Sequence, residues 1–172
     1  MRIRVLIVDD HAVVRQGLRI FLDTERDFEV VGEAPNGEEA VRLARSLQPD
    51  IVLMDLLMPG MGGIEATRQI RSEVEDVEVV ALTSVLDDES VVAAVRAGAI
   101  GYLLKTAEAD DLRRSLRAAA AGQVQLDPAA AARLVSEVRA PGADEVVDKS
   151  PDAGPLLASV RRRQEGRPQG FV

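Results

Sequence analysis

The chain has 172 residues, 47% apolar and 29% charged, with 21 basic and 29 acidic side chains for a formal charge of −8. This composition suits one folded domain with an appendage, and no apolar run approaches the roughly 18 uncharged residues of a bilayer span. The absence of cysteine removes disulfides and thiolate metal sites, while residues 1–122 hold 14 basic and 22 acidic residues, a balance that disfavours binding to phosphate backbones.

From the N-terminus, Met1-Arg2 leads straight into the strand-sized run IRVLIV (3–8), which ends in Asp9-Asp10 and does not read as a secretory signal, so the cytoplasm is the expected compartment. An amphipathic helix follows, with Val13, Val14, Leu18, Phe21 and Leu22 as its apolar face. FEVVGEA (28–34) is the second strand, and Asn36 with Glu39 has the spacing of a capping box before a helix carrying Ala40, Leu43, Ala44 and Leu47. DIVLMD (50–55) closes on Asp55 ahead of a Met58-Pro59-Gly60 turn. VEVVAL (77–82) runs into Thr83-Ser84, Asp87-Asp88-Glu89 favours a helix start, and Gly98 is placed to end that helix. AIGYLL (99–104) precedes Lys105, and a fifth helix is expected over about 108–121, with Thr106 as its cap, Leu112 and Leu116 inward and Gly122 as its stop.

Five strands alternating with five helices predict an α/β, doubly wound five-stranded parallel sheet with helices on both faces over residues 1–122, since each parallel connection needs a crossover. Residues 123–140 are read as a linker helix, with Asp127-Pro128 as cap and first turn and Leu134, Val135 and Val138 as its apolar stripe. Residues 141–172, spaced by Pro151, Gly154, Pro155, Gly166 and Pro168, are read as a flexible tail.

Ligands of an open parallel sheet gather outside the carboxyl ends of its strands. There the sequence places Asp9, Asp10 and Asp55, the Thr83-Ser84 hydroxyls and the Lys105 ammonium. Three carboxylates at one rim repel one another unless a cation joins them, and oxygen ligands with no histidine or cysteine beside them suit Mg²⁺, which keeps positions open for phosphate oxygens. A carboxylate can then act as nucleophile towards phosphorus. Asp55 is the expected nucleophile, with Mg²⁺ and Lys105 as clamps and Thr83 as a donor. His11 is expected to be a surface residue at a helix start rather than a phosphate carrier.

The segments VLIVDDH, DIVLMDLLMPGMGGIEATRQI, ALTS and GYLLKT resemble the receiver domains of two-component response regulators over residues 1 to about 122. The resemblance implies a flavodoxin-like sheet of order 2-1-3-4-5, and Asp55 as phosphoacceptor for a sensor histidine kinase. It implies Mg²⁺ on Asp10, Asp55, the Leu57 backbone carbonyl and, through water, Asp9. Thr83, Tyr102 and Lys105 fall at switch and phosphate-binding positions: the hydroxyl moves to the phosphoryl group, the ring turns inward, and the face of helix 4, strand 5 and helix 5 changes, altering docking or homodimer formation. No enzyme activity is implied beyond self-phosphorylation and self-dephosphorylation at Asp55. Two positions depart from many relatives: Leu57 is aliphatic beside the acceptor, and Thr106 replaces a proline after Lys105.

The stretch from RAGAIGYLLK to the 123–140 helix resembles the NarL/FixJ class, whose receivers precede a helix-turn-helix that binds DNA and regulates transcription. Residues 141–172 hold only LLASV as an apolar cluster, so a remnant or missing output region is expected; Arg161, Arg162, Arg163 and Arg167 are read as solvated, and no DNA-binding residues or membrane partner are assigned. The alternatives are an Mg²⁺-dependent small-molecule phosphatase or phosphotransferase, whose common aspartyl forms instead place the nucleophile after strand 1 in an Asp-x-Asp pattern, and a DNA-binding regulator with a cryptic output tail.

Overall fold

The computed structural model describes residues 1–85, 87–126 and 128–139. The elements run β1 (Ile3–Val8), α1 (Ala12–Thr24), β2 (Phe28–Ala34), α2 (Gly37–Leu47), β3 (Ile51–Asp55), α3 (Gly63–Glu73), β4 (Glu78–Thr83), α4 (Asp88–Ala97), β5 (Gly101–Leu104), α5 (Ala109–Ala120), β6 (Gln125–Leu126) and α6 (Pro128–Arg139). All strand pairs are parallel, in the order β2-β1-β3-β4-β5-β6. The order reverses between β1 and β3, which opens a crevice at their carboxyl ends.

Strand alternation divides the core between two faces. Leu6, Val8, Val52, Met54 and Val79 join Ala40, Val41 and Ala44 of α2 and Ala66 and Ile70 of α3 on one side. Val5, Ile7, Ile51, Leu53 and Val80 join Leu22 of α1 and Leu112, Leu116 and Ala119 of α5 on the other. A third cluster lies under α4 and α6 and holds Leu56, Ala81, Val91, Ala94, Ala99, Tyr102 and Ala130, with Leu126 and Leu134 packed against it.

Local chemistry places the helices. Asn36 Oδ1 accepts from the Glu39 amide at 2.8 Å, and Asp87 Oδ1 accepts from the Ser90 amide at 2.8 Å, satisfying donors that a helix start leaves bare. Gly98 closes α4 at φ 108°, a left-handed conformation that a side chain would strain. Gly63 opens α3 hard against the end of β3, where a Cβ would collide with the Asp55 carbonyl oxygen, so the loop returns directly over the last residue of that strand.

Four expectations change. The sheet gains β6, a two-residue strand too short to show a period, which pairs with β5 along Gly101 and Tyr102. Glu108, not Thr106, occupies the start of α5, without a side-chain cap. Val13 is 80% exposed because α1 turns its inner face through Leu18, Phe21 and Leu22. On α6 the buried residue is Ala130, with Leu134 one turn on, while Val135 and Val138 are exposed; alanine's small side chain lets the helix approach α4 closely. The proposed Asp127 cap, residue 140 and the whole tail, including Arg161, Arg162, Arg163 and Arg167, lie outside the described residues.

Candidate functional site

Register brings the acidic residues together. Val8 of β1 is level with Met54 of β3, so the next residues, Asp9 and Asp55, emerge side by side at the crevice. Thr83 of β4 is level with Leu104 of β5, and the Lys105 amide donates to the Thr83 carbonyl at 2.7 Å, which fixes where the lysine stem starts. Lys105 Nζ then reaches Asp9 Oδ2 at 2.7 Å and Asp55 Oδ2 at 3.2 Å. Asp9 and Asp55 are buried and Asp10 is half-buried.

Each carboxylate has a defined hold. Asp9 is anchored through its backbone by Ala34, whose carbonyl accepts its amide at 3.1 Å, and by Arg15 Nη1, which donates to its carbonyl at 2.8 Å. Its Oδ1 accepts from the His11 amide at 2.8 Å. Asp55 Oδ1 accepts from the Leu57 amide at 3.2 Å, while the Leu57 side chain points out, 56% exposed. Asp9 Oδ2, Asp10 Oδ1 and Asp55 Oδ2 are buried oxygens with no amide or hydroxyl donor; the Lys105 ammonium alone serves the first and third, and the His11 ring lies 3.0 Å from the second.

Burial raises the Asp55 carboxyl above the usual carboxylate range, and the neighbouring Asp9 charge adds to it, against the opposing pull of Lys105. For Lys105, burial pulls the ammonium down, but its bonds and charge attraction to Asp9 and Asp55 prevail and raise it, so it stays a cation. Three carboxylates against one ammonium leave an excess of negative charge. Carboxylate oxygens that one ammonium only partly serves, grouped within 4.8 Å, fit a hard divalent ion such as Mg²⁺.

The setting differs from the expected one in that His11 belongs to the group: its Nδ1 lies 3.3 Å from Asp9 and 3.0 Å from Asp10. A single exposed histidine before a helix gives no sequence signal for this, because the contact depends on how Asp9 and Asp10 splay at the strand end. Thr83 is buried at the adjacent strand end, and its hydroxyl donates to the Val85 carbonyl at 3.2 Å; Ser84 is exposed. Tyr102, fully buried, already has its ring inward, with its hydroxyl 3.5 Å from the same carbonyl. Val85, absent from the sequence reading, thus joins Thr83 and Tyr102 through one oxygen.

A family profile described as the response regulator receiver domain matches residues 5–117. The transcriptional regulatory protein LiaR of Bacillus subtilis (strain 168) is 47% identical over 148 residues, covering 86% of this chain and 70% of LiaR. The response regulator protein VraR of Staphylococcus aureus is 44% identical over 128 residues, covering 74% of this chain and 61% of VraR, so the chain spans under two thirds of that relative. Among solved structures, a LuxR-family two-component response regulator from Aurantimonas sp. SI85-9A1 superposes with a TM-score of 0.74 at 37% identity, over 80% of this chain and 98% of that one.

Proposed function

The chain belongs to the response regulator receiver family, in the NarL class, and on that premise we propose that Asp55 accepts a phosphoryl group from a sensor histidine kinase. The observation that supports this reading is the meeting of Asp9, Asp10 and Asp55 with the Lys105 ammonium at the crevice mouth. Mg²⁺ would be held by Asp10, Asp55 and the Leu57 backbone carbonyl, with Asp9 through water. When bound, it supplies charge neutralisation for the phosphoryl oxygens.

An Asp55 carboxylate oxygen forms the new O–P bond while the donor's P–N bond breaks and its electron pair stays on the imidazole nitrogen. With acetyl phosphate the breaking bond is P–O and the pair leaves on acetate. Lys105, held as a cation, loses one of its two carboxylate partners when Asp55 becomes an acyl phosphate and turns to a phosphoryl oxygen. The Thr83 hydroxyl leaves the Val85 carbonyl and donates to a second phosphoryl oxygen, and Tyr102 stays inward beneath it. The acquired charge of nearly two units biases two arrangements of this rim. The output in longer relatives is regulation of transcription, the compartment is the cytoplasm, and catalysis is limited to gain and loss of the phosphoryl group at Asp55.

Incubation with acetyl phosphate and Mg²⁺ followed by intact mass measurement tests this. One phosphoryl group is expected on the protein and none on Asp55→Asn; turnover of varied phosphate esters without an adduct would favour a phosphatase instead.

A further inference from the structure

The last described helix is not free of the sheet. β6 continues it, the Gln125 amide donating to the Ile100 carbonyl at 3.2 Å, and α6 lies across α4. Ala130 is buried in the cluster that contains Tyr102, with Leu134 packed beside it. Two ion pairs fasten the ends: Arg133 Nη1 meets Asp88 Oδ1 in the first turn of α4, and Arg96 Nη2 lies 3.5 Å from Glu137 Oε1 near its last turn. β6 and α6 therefore occupy the α4 and β5 side of the face expected to change on phosphorylation.

The anchor at Asp88 lies three residues after Val85, whose carbonyl takes both the Thr83 and the Tyr102 hydroxyl. A path of touching groups thus joins the end of β4 to α6: Thr83, Val85, Tyr102 and its apolar cluster, then Ala130. We propose that α6 is a latch whose seating on α4 is coupled to the Thr83 hydroxyl, so that phosphorylation at Asp55 unseats α6 and bares the α4 and β5 face. The coupling rests on the phosphoacceptor reading above. Seated, α6 contributes one buried alanine, one half-buried leucine and pairs between partly exposed charges, the kind of holding that a local equilibrium opens before the rest of a domain. When Thr83 turns to a phosphoryl oxygen, the Val85 carbonyl loses the shorter of its two donors and is left with the Tyr102 hydroxyl at 3.5 Å, which loosens the hold on the chain leading to Asp87 and Asp88.

Amide hydrogen exchange of α6, measured on the full chain with and without acetyl phosphate and Mg²⁺ and with intact mass taken on the same samples, tests the latch. On phosphorylated protein, α6 amides are expected to exchange about tenfold faster, a coupling of ordinary allosteric size. An adduct with unchanged α6 exchange overturns the latch and leaves the phosphoacceptor reading standing; no adduct overturns both. In a second arm, Arg133→Asp should release α6 without any phosphoryl group, and pairing it with Asp88→Arg should restore protection. Unchanged exchange in Arg133→Asp overturns the latch independently of phosphorylation. By reciprocity, Arg133→Asp should also bind beryllofluoride with Mg²⁺ up to about tenfold more tightly, and equal affinity counts against the proposal.

Discussion

The two sides of the sheet are built from different material. Around β1 and β3 the core is made of long aliphatic chains, Leu6, Ile7, Ile51 and Leu53 among them, all fully buried and gripped by helices on both faces. Under α4 and α6 the cluster is richer in small side chains, with Ala81, Ala94, Ala99 and Ala130 beside Leu56 and Val91 about one large ring, Tyr102, and its outermost helix is fastened by charges near the surface. Each alanine buries little apolar area, so elements on this side can part at small cost, whereas the β1 and β3 side cannot move without opening a void. One side holds Asp9, Asp10 and Asp55 in fixed register; the other is free to register what happens to them.

Leu53→Ala gives the largest effect, since it empties the stiff side: a loss of about 2–5 kcal/mol is expected from denaturant melts. A loss under about 1 kcal/mol would erase the contrast between the two sides.

A change of opposite sign is expected at the rim. Because the folded Asp55 carboxyl is raised by burial and by Asp9, the folded state holds its proton more firmly than the unfolded chain does. Wild-type stability therefore falls as pH rises from the ordinary aspartate range through the raised one. Without divalent ions, Asp55→Asn should escape that loss, matching wild type in acid and melting higher at neutral pH. Added Mg²⁺ should narrow the gap by stabilising wild type, and equal melting temperatures at neutral pH without metal would contradict the burial of a charge that Lys105 only partly compensates.

The smallest effect sharpens the description of the compliant side. Tyr102 is the single tyrosine and tryptophan is absent, so alkaline absorbance reports one group. Its phenol is raised by burial and then by the Asp87 charge, so the folded protein should ionise above the usual tyrosine range and lose stability as pH climbs through it. Ionisation at the ordinary value would mean that the ring samples solvent.

The fold was legible because four of the first five strands, β1, β3, β4 and β5, carry an apolar run that stops at a polar residue, Asp9, Asp55, Thr83 and Lys105. Asp9, Asp55 and Lys105 could be placed from the strand ends alone, since strand ends at one edge of a parallel sheet must meet. Besides β6 and the start of α5, three features escaped. His11 looks like any residue at a helix start, and its approach to Asp9 and Asp10 depends on side-chain directions that a linear pattern does not carry. Val85 acts through its carbonyl, which every residue has. In α6, reading hydrophobicity favoured Val135 and Val138, but close approach to α4 favours the small Ala130.

The two residues of β6 cover the outer margin of β5. If they leave with α6, Gly101 and Tyr102 join Leu103 and Leu104 in an unpaired margin whose backbone amides and carbonyls can recruit an extended segment from another chain. Its brevity, with Lys105 directly after it, discourages runaway stacking while leaving room for a short, reversible strand addition.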